Sequence, residues 1–268
     1  MAGDVRQAIR IGLTLGSGGA RGLAHIAFLK ALDEMELKPA IISGTSIGAI
    51  IGAFYAGGRE GKQIEGLFDG MGIRKMGSMV DLSIFSNSGL LKGNKVEEFL
   101  TENLPVSDFA DLPIPLKIVA TDFWKRREVV LESGDLVKAV RASIAVPVVL
   151  EPLMVEGRIL TDGGTVNPLP YDIIRDHCDI LVAIDVSGER VPDKHGPAPT
   201  MLENIFSTFQ IMQTSIVRSK MKTIKPDILV QPQLQNIQLL DFYRKDEIFK
   251  EVKKNVERFR KELDGLLA

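Results

Sequence analysis

One pentapeptide, Gly44-Thr45-Ser46-Ile47-Gly48, constrains the fold of this chain more than any other feature. The apolar run Ile41-Ile42-Ser43 ahead of it reads as a buried strand, and residues 49–56 behind it read as a helix closed by Gly57-Gly58. A strand that turns into a helix through Gly-x-Ser-x-Gly is a nucleophile elbow. The turn strains the serine, the glycines let backbone and substrate come close, and the helix N-terminus faces developing negative charge. The pentapeptide alone is weak, since roughly one chain in ten of this length would hold it by chance. Its flanks make it informative.

Strands and helices alternate around the elbow. Ile11-Gly12-Leu13-Thr14-Leu15 reads as a strand entering the glycine cluster at 16–22, and a helix follows over 23–36 with Ile26, Leu29, Leu32 and Met35 on its apolar face. Further strands are expected at 116–121, 128–131, 159–162, 179–186 and 227–230, with a hairpin around Glu156-Gly157. Helices are expected at 95–103, 136–143, 201–222 and 244–263, and 191–200 reads as a proline-rich loop. Periodicity is poor over 59–93, which marks that stretch as a candidate mobile cover. The alternation predicts an α/β fold, a mostly parallel central sheet with helices on both faces. At 268 residues the expectation is a single domain over 1–268. Its motif-bearing core is 11–187, and 200–268 forms a C-terminal helical extension.

Composition excludes several function classes. A net charge of -2 supplies no electrostatic footprint for nucleic acid, and Lys125-Arg126-Arg127 reads as a solvated turn. The one cysteine, Cys178, suits a reducing, cytoplasmic compartment, and with three scattered histidines it makes no metal-ligand spacing. Residues 1–10 lack the apolar core of a signal peptide, and the longest apolar run, 40–56, is broken by the elbow and too short to span a bilayer. The expectation is a soluble protein that visits membranes at most peripherally. Its oligomeric state is not encoded in any feature of the sequence.

Acyl transfer through serine needs a nucleophile, a base and donors for the oxyanion. Ser46 is the candidate nucleophile. The glycine cluster, lying between a strand and a helix, is a candidate source of converging backbone amides. A dinucleotide cradle is the alternative for that cluster, although Arg21 stands where the third fingerprint glycine belongs. His25 lies in the first helix, His177 precedes a strand at the wrong sheet edge for catalysis, and His195 sits in the proline-rich loop. That leaves a carboxylate as base. Asp162, directly after an apolar strand and followed by Gly163-Gly164, is the best placed, although Asp-Gly alone is usually a turn. An ordinary carboxyl is a poor base toward a hydroxyl, so such a pair requires a dry site and strong oxyanion stabilisation.

Four ordered matches together resemble the patatin-like phospholipases, and in particular their short bacterial branch. They are Gly18-Gly19-Ala20-Arg21-Gly22, Gly44-Thr45-Ser46-Ile47-Gly48, Ala139-Val140-Arg141-Ala142-Ser143-Ile144-Ala145-Val146-Pro147, and Asp162-Gly163-Gly164 followed by Asn167-Pro168. The resemblance implies a Ser–Asp dyad of Ser46 and Asp162. It also implies an oxyanion hole from the amides around Gly18, Gly19 and Ala20, with Arg21, Gly22, Gly44, Gly48, Gly163 and Gly164 supporting the motifs. Ser17 stands where the family's loop begins with glycine. The implied activity is hydrolysis of phospholipid or lysophospholipid esters without metal or cofactor. A low-turnover regulatory protein and an acyltransferase or thioesterase on acyl carriers are the alternatives.

Overall fold

A computed structural model describes residues 9–69, 93–188 and 199–268. Of the 59–93 segment read as a candidate cover, residues 70–92 lie outside the described residues, as does His195. The strands are β1 (Ile11–Leu15), β2 (Ile41–Thr45), β3 (Leu116–Asp122), β4 (Arg127–Leu131), β5 (Leu153–Val155), β6 (Arg158–Asp162), β7 (Ile180–Ile184) and β8 (Ile228–Val230). The helices are α1 (Ala24–Glu34), α2 (Ile47–Ala56), α3 (Gly61–Leu67), α4 (Asn94–Asn103), α5 (Leu136–Ser143), α6 (Met201–Lys220) and α7 (Lys245–Leu267).

The strands form one sheet in the order β5-β6-β3-β2-β1-β7-β8, with β4 paired to the remaining edge of β3. The pairs β3–β2, β2–β1, β1–β7 and β7–β8 are parallel, whereas β4, β5 and β6 join antiparallel. The sheet is therefore α/β and parallel through its centre. Alternation along β7 shows that both faces are covered. Ile180, Val182 and Ile184 enter the larger core, while Leu181 and Ala183 enter a second cluster with Leu169, Tyr171, Ile174 and Val217. On the larger face α1 packs against α7, with Phe28 edge-on to Phe259 at 5.7 Å between ring centroids. On the other, Val217 of α6 and the short helical turn Asp172–His177 close the smaller cluster.

Several element boundaries differ from the expectation. The elbow helix begins at Ile47, immediately after the serine, and α1 is preceded by a 3-10 turn over Gly19–Leu23. The expected hairpin is present, with Glu156 and Gly157 both at positive φ as a type I′ turn requires. Within the candidate cover, Gly61–Leu67 is a regular helix. A reciprocal cap between Glu60 and Gln63 starts it, and buried Ile64 anchors it.

Candidate active site

Register brings Ser46 and Asp162 together. β4 occupies one edge of β3 from Ile118 to Asp122. On the opposite edge, β2 runs alongside as far as Thr45, which faces Val119, and β6 arrives from the other direction to end with Asp162 facing Ala120. The two strands meet end to end in one lane beside β3. The residue after Thr45 and the last residue of β6 are therefore neighbours, although 116 positions separate them in the chain (162 − 46).

Ser46 has φ 57 and ψ −123, a left-handed backbone that costs a residue with a side chain on the order of 1–3 kcal/mol. Its surroundings hold that conformation. The Ser46 carbonyl accepts from Ala49 N at 2.8 Å, and its amide donates to Ser143 Oγ at 2.9 Å. The Ser143 hydroxyl in turn donates to Val119 O at 2.7 Å. Gly44 and Gly48 allow the tight turn, since a Cβ on Gly44 would stand 2.6 Å from Gly48 O and one on Gly48 would run into the Leu15 carbonyl. Ser46 is buried at the N-terminus of α2, where the helix dipole favours negative charge.

Asp162 is 1 % exposed. Its amide donates to Ala145 O at 3.0 Å, its carbonyl accepts from Thr121 Oγ1 at 2.9 Å, and its Oδ1 accepts from Gly164 N at 2.7 Å. Burial pushes its pKa up to about 6, against the opposing pull of the Ser46 hydroxyl and the Gly164 amide. Oδ2 has no partner of regular hydrogen-bond geometry, so the serine interacts with the carboxyl without saturating it. A Cβ on Gly163 would run into the Val119 carbonyl, and one on Gly164 would push aside the tip of the Gln213 side chain from α6. The segment that follows is tied back to the serine strand. Thr45 Oγ1 donates to Asn167 O at 2.8 Å, and Ser43 Oγ donates to Pro170 O at 3.0 Å.

The glycine loop follows β1, the strand next to β2, and so reaches the same sheet edge as the elbow. Gly22 packs directly on Ile47. Arg21 is buried and braces the loop: Nε donates to Val186 O at 3.2 Å and Nη1 to Ile237 O at 2.8 Å. Burial lowers its pKa to about 10, against the field of Asp185 and Asp241. His25 is a second brace. Burial lowers its pKa to about 4, so the ring is neutral near pH 7 and its Nε2–H donates to Gly16 O at 2.8 Å. One expectation for the loop needs correction. The Ala20 amide donates to Leu239 O at 2.8 Å and is not available to an anion. The Gly18 and Gly19 amides have no acceptor among the described residues, and Gly19, at φ 57, turns the chain toward Leu239.

Sequence reading missed two contributors. Ser143 lies inside a quoted motif, but its bond to the Ser46 amide depends on α5 packing against β3. Gln213 lies in the extension, where no motif marks it. Among the described residues no three His, Cys, Asp or Glu side chains converge as a metal site, and no helix is long and apolar enough to cross a membrane.

The profile of the patatin-like phospholipase family matches residues 13–174. An uncharacterized NTE family protein of Mycobacterium tuberculosis is 36% identical over 197 residues, covering 73% of this chain and 53% of that protein. The lysophospholipase NTE1 of Pyricularia oryzae is 28% identical over 263 residues, covering 89% of this chain and 17% of that protein. The chain thus spans about half the length of the mycobacterial relative and a smaller share of the fungal one. Among solved structures, VipD from Legionella pneumophila shares the fold with a TM-score of 0.52 at 13% identity, covering 93% of this chain and 67% of that one. The chain belongs to the patatin-like phospholipase family.

Proposed function

We propose that this patatin-like domain hydrolyses carboxylic ester bonds of phospholipids or lysophospholipids through an acyl-enzyme on Ser46. The observation that carries this reading is the meeting of β2 and β6 beside β3, which sets Ser46, on its strained elbow, next to the buried carboxyl of Asp162. Burial pushes the pKa of that carboxyl up to about 6. At neutral pH that carboxyl is ionised and more basic than an ordinary aspartate, which suits a general base. In the reaction, Ser46 Oγ attacks the ester carbonyl and Asp162 accepts its proton. The amides of Gly18 and Gly19, with the N-terminus of α2, stabilise the oxyanion. Asp162 then protonates the departing alcohol, and a water molecule, activated by the same carboxylate, releases the fatty acid.

The lysophospholipase name of the fungal relatives favours lipid esters over other acyl compounds. Residues 11–187 carry the chemistry in this reading, and the extension contributes α6 and Gln213 beside it. The domain works from the aqueous side of a lipid surface. The test is a panel of lysophospholipids, diacyl phospholipids, nitrophenyl esters and acyl thioesters, assayed with wild-type protein and Ser46→Ala. The reading predicts release of fatty acid from the lipid esters by wild type alone. Turnover confined to thioesters favours the acyl-carrier alternative, and equal rates for both proteins refute the assignment.

A further inference from the structure

The β3–β4 turn carries apolar surface into solvent beside the candidate active site. Phe123 is 49 % and Trp124 73 % exposed, with their rings edge-to-face at 4.9 Å. Next to them, Phe123 N donates to Ile159 O, and Ile159 pairs with Met154, itself 68 % exposed. The turn is braced. Asp122 is buried, its Oδ1 accepts from Lys125 N at 2.9 Å and its carbonyl from Arg126 N at 2.8 Å. Lys125, Arg126 and Arg127 follow, all exposed. Asp122, opposite Arg127 in the hairpin, is buried and bonded to the turn backbone, while Glu128 and Glu156 are engaged with Asn167 and Arg158. An aromatic pair backed by three cations is thus held rigidly outward.

Its location matters as much as its composition. Phe123 lies three residues beyond Ala120, the partner of Asp162, which places the turn about 10 Å past the dyad at the same sheet edge. The N-terminal half of α6 reaches that edge too. Gln210 bonds to Ser187 just beyond β7, while Lys220, at the other end, bonds to Asn167 and Leu169. Met201, Ile205 and Met212 stand exposed along this helix at intervals of four and seven residues.

We propose that the Phe123–Trp124 turn is an interfacial anchor that docks this edge of the protein onto an anionic lipid surface. The proposal rests on the lipid-ester reading of the site. Indole and phenyl rings settle at the headgroup level, and adjacent Lys and Arg side chains meet the negative surface. Each cation near such a surface is worth about fivefold in partitioning and is screened by salt. Docking in this orientation turns Ser46 toward the bilayer.

Trp124 is the single tryptophan of the chain, so tryptophan emission, excited selectively over the tyrosines, reports on the turn alone. The experiment adds vesicles of phosphatidylcholine, with or without phosphatidylserine, to the Ser46→Ala protein, which leaves the lipid intact. The expected result is a blue shift with phosphatidylserine vesicles, quenched by brominated acyl chains and weakened by salt. Replacing Phe123→Ser and Trp124→Ser together lowers vesicle binding, read by co-sedimentation, about ten- to a hundredfold. Lys125→Glu with Arg127→Glu removes the phosphatidylserine preference. With Ser46 restored, both variants hydrolyse a monomeric nitrophenyl ester at the wild-type rate. Emission unmoved by either vesicle, variants that bind as wild type does, or a shift that follows protein concentration without lipid overturns the anchor. A wild-type protein that shows the shift yet cleaves no ester supports the anchor and refutes the proposed function instead.

Discussion

Exchanging the Asp162 carboxylate for an asparagine amide removes a charge from a position that is 1 % exposed. The folded-state pKa is raised by burial from 3.8 to about 6. A group whose folded pKa is raised contributes stability that is fully present below the unfolded pKa, near 3.8, and is lost as pH rises through 6. At about 1.4 kcal/mol per unit, ionised Asp162 therefore costs the fold about 3 kcal/mol above pH 6. Asparagine keeps an oxygen for the Gly164 amide and offers the Ser46 hydroxyl a donor. Asp162→Asn is thus expected to stabilise the protein at pH 8 by up to about 3 kcal/mol, or roughly 5–10 °C in Tm for a domain of this size. The gain should vanish near pH 4. Activity should fall by about 10²–10⁴, the usual worth of a general base. Thermal melts of both proteins at each pH give the difference directly, and the comparison cancels the opposite pH slope of His25, which both share. A variant less stable than wild type at pH 8, or a gain that does not change with pH, would refute the description of Asp162 as a buried charge.

Other consequences can be checked separately. The wild-type kcat/KM should fall on acidification with a midpoint near pH 6, because Asp162 must be ionised to accept the serine proton; a pH–rate profile flat to pH 5 contradicts this. Ser143→Ala strands the buried Ser46 amide and should cost about 1–3 kcal/mol of stability while leaving that midpoint in place, as denaturant melts and pH profiles would show. His25→Ala leaves the Gly16 carbonyl without its donor and should lower both stability and activity, whereas His177→Gln should change neither; equal effects would remove His25 from the support of the loop. Arg21→Met should destabilise by about 3 kcal/mol or more, because two buried carbonyls lose a charged donor, and near-wild-type melting would show the brace to be dispensable.

The parts of this site legible in the sequence are those set by local chemistry. The elbow combines a strand run, two spaced glycines and an apolar helix, and each constrains its neighbours over a few residues. Arg21 stood out within the glycine motif, but its bracing bonds were not legible, because the Val186 and Ile237 carbonyls that accept them lie more than 150 positions away. The meeting of β2 and β6 in one lane beside β3 was not, because register depends on pairing between segments more than a hundred positions apart. The Ala20 amide illustrates the same limit: its acceptor, Leu239, belongs to the extension, where no motif announces it. The helix at Gly61–Leu67 was not legible: Glu60 is not among the usual N-cap residues, and Gly61 and Gly66 obscure its periodicity. Gln213 and the exposed Trp124 acquire meaning only once α6 and the β3–β4 turn are seen at the edge that holds the serine.

The most direct test of the dyad is covalent. Purified wild type, Ser46→Ala and Asp162→Asn would be treated with an alkyl fluorophosphonate across pH 5–8, with intact mass and peptide mapping as readout. One adduct per chain is predicted, on Ser46, forming faster as pH rises through about 6, absent in Ser46→Ala and strongly slowed in Asp162→Asn. An adduct on another residue, or labelling of Asp162→Asn at the wild-type rate, would contradict the account.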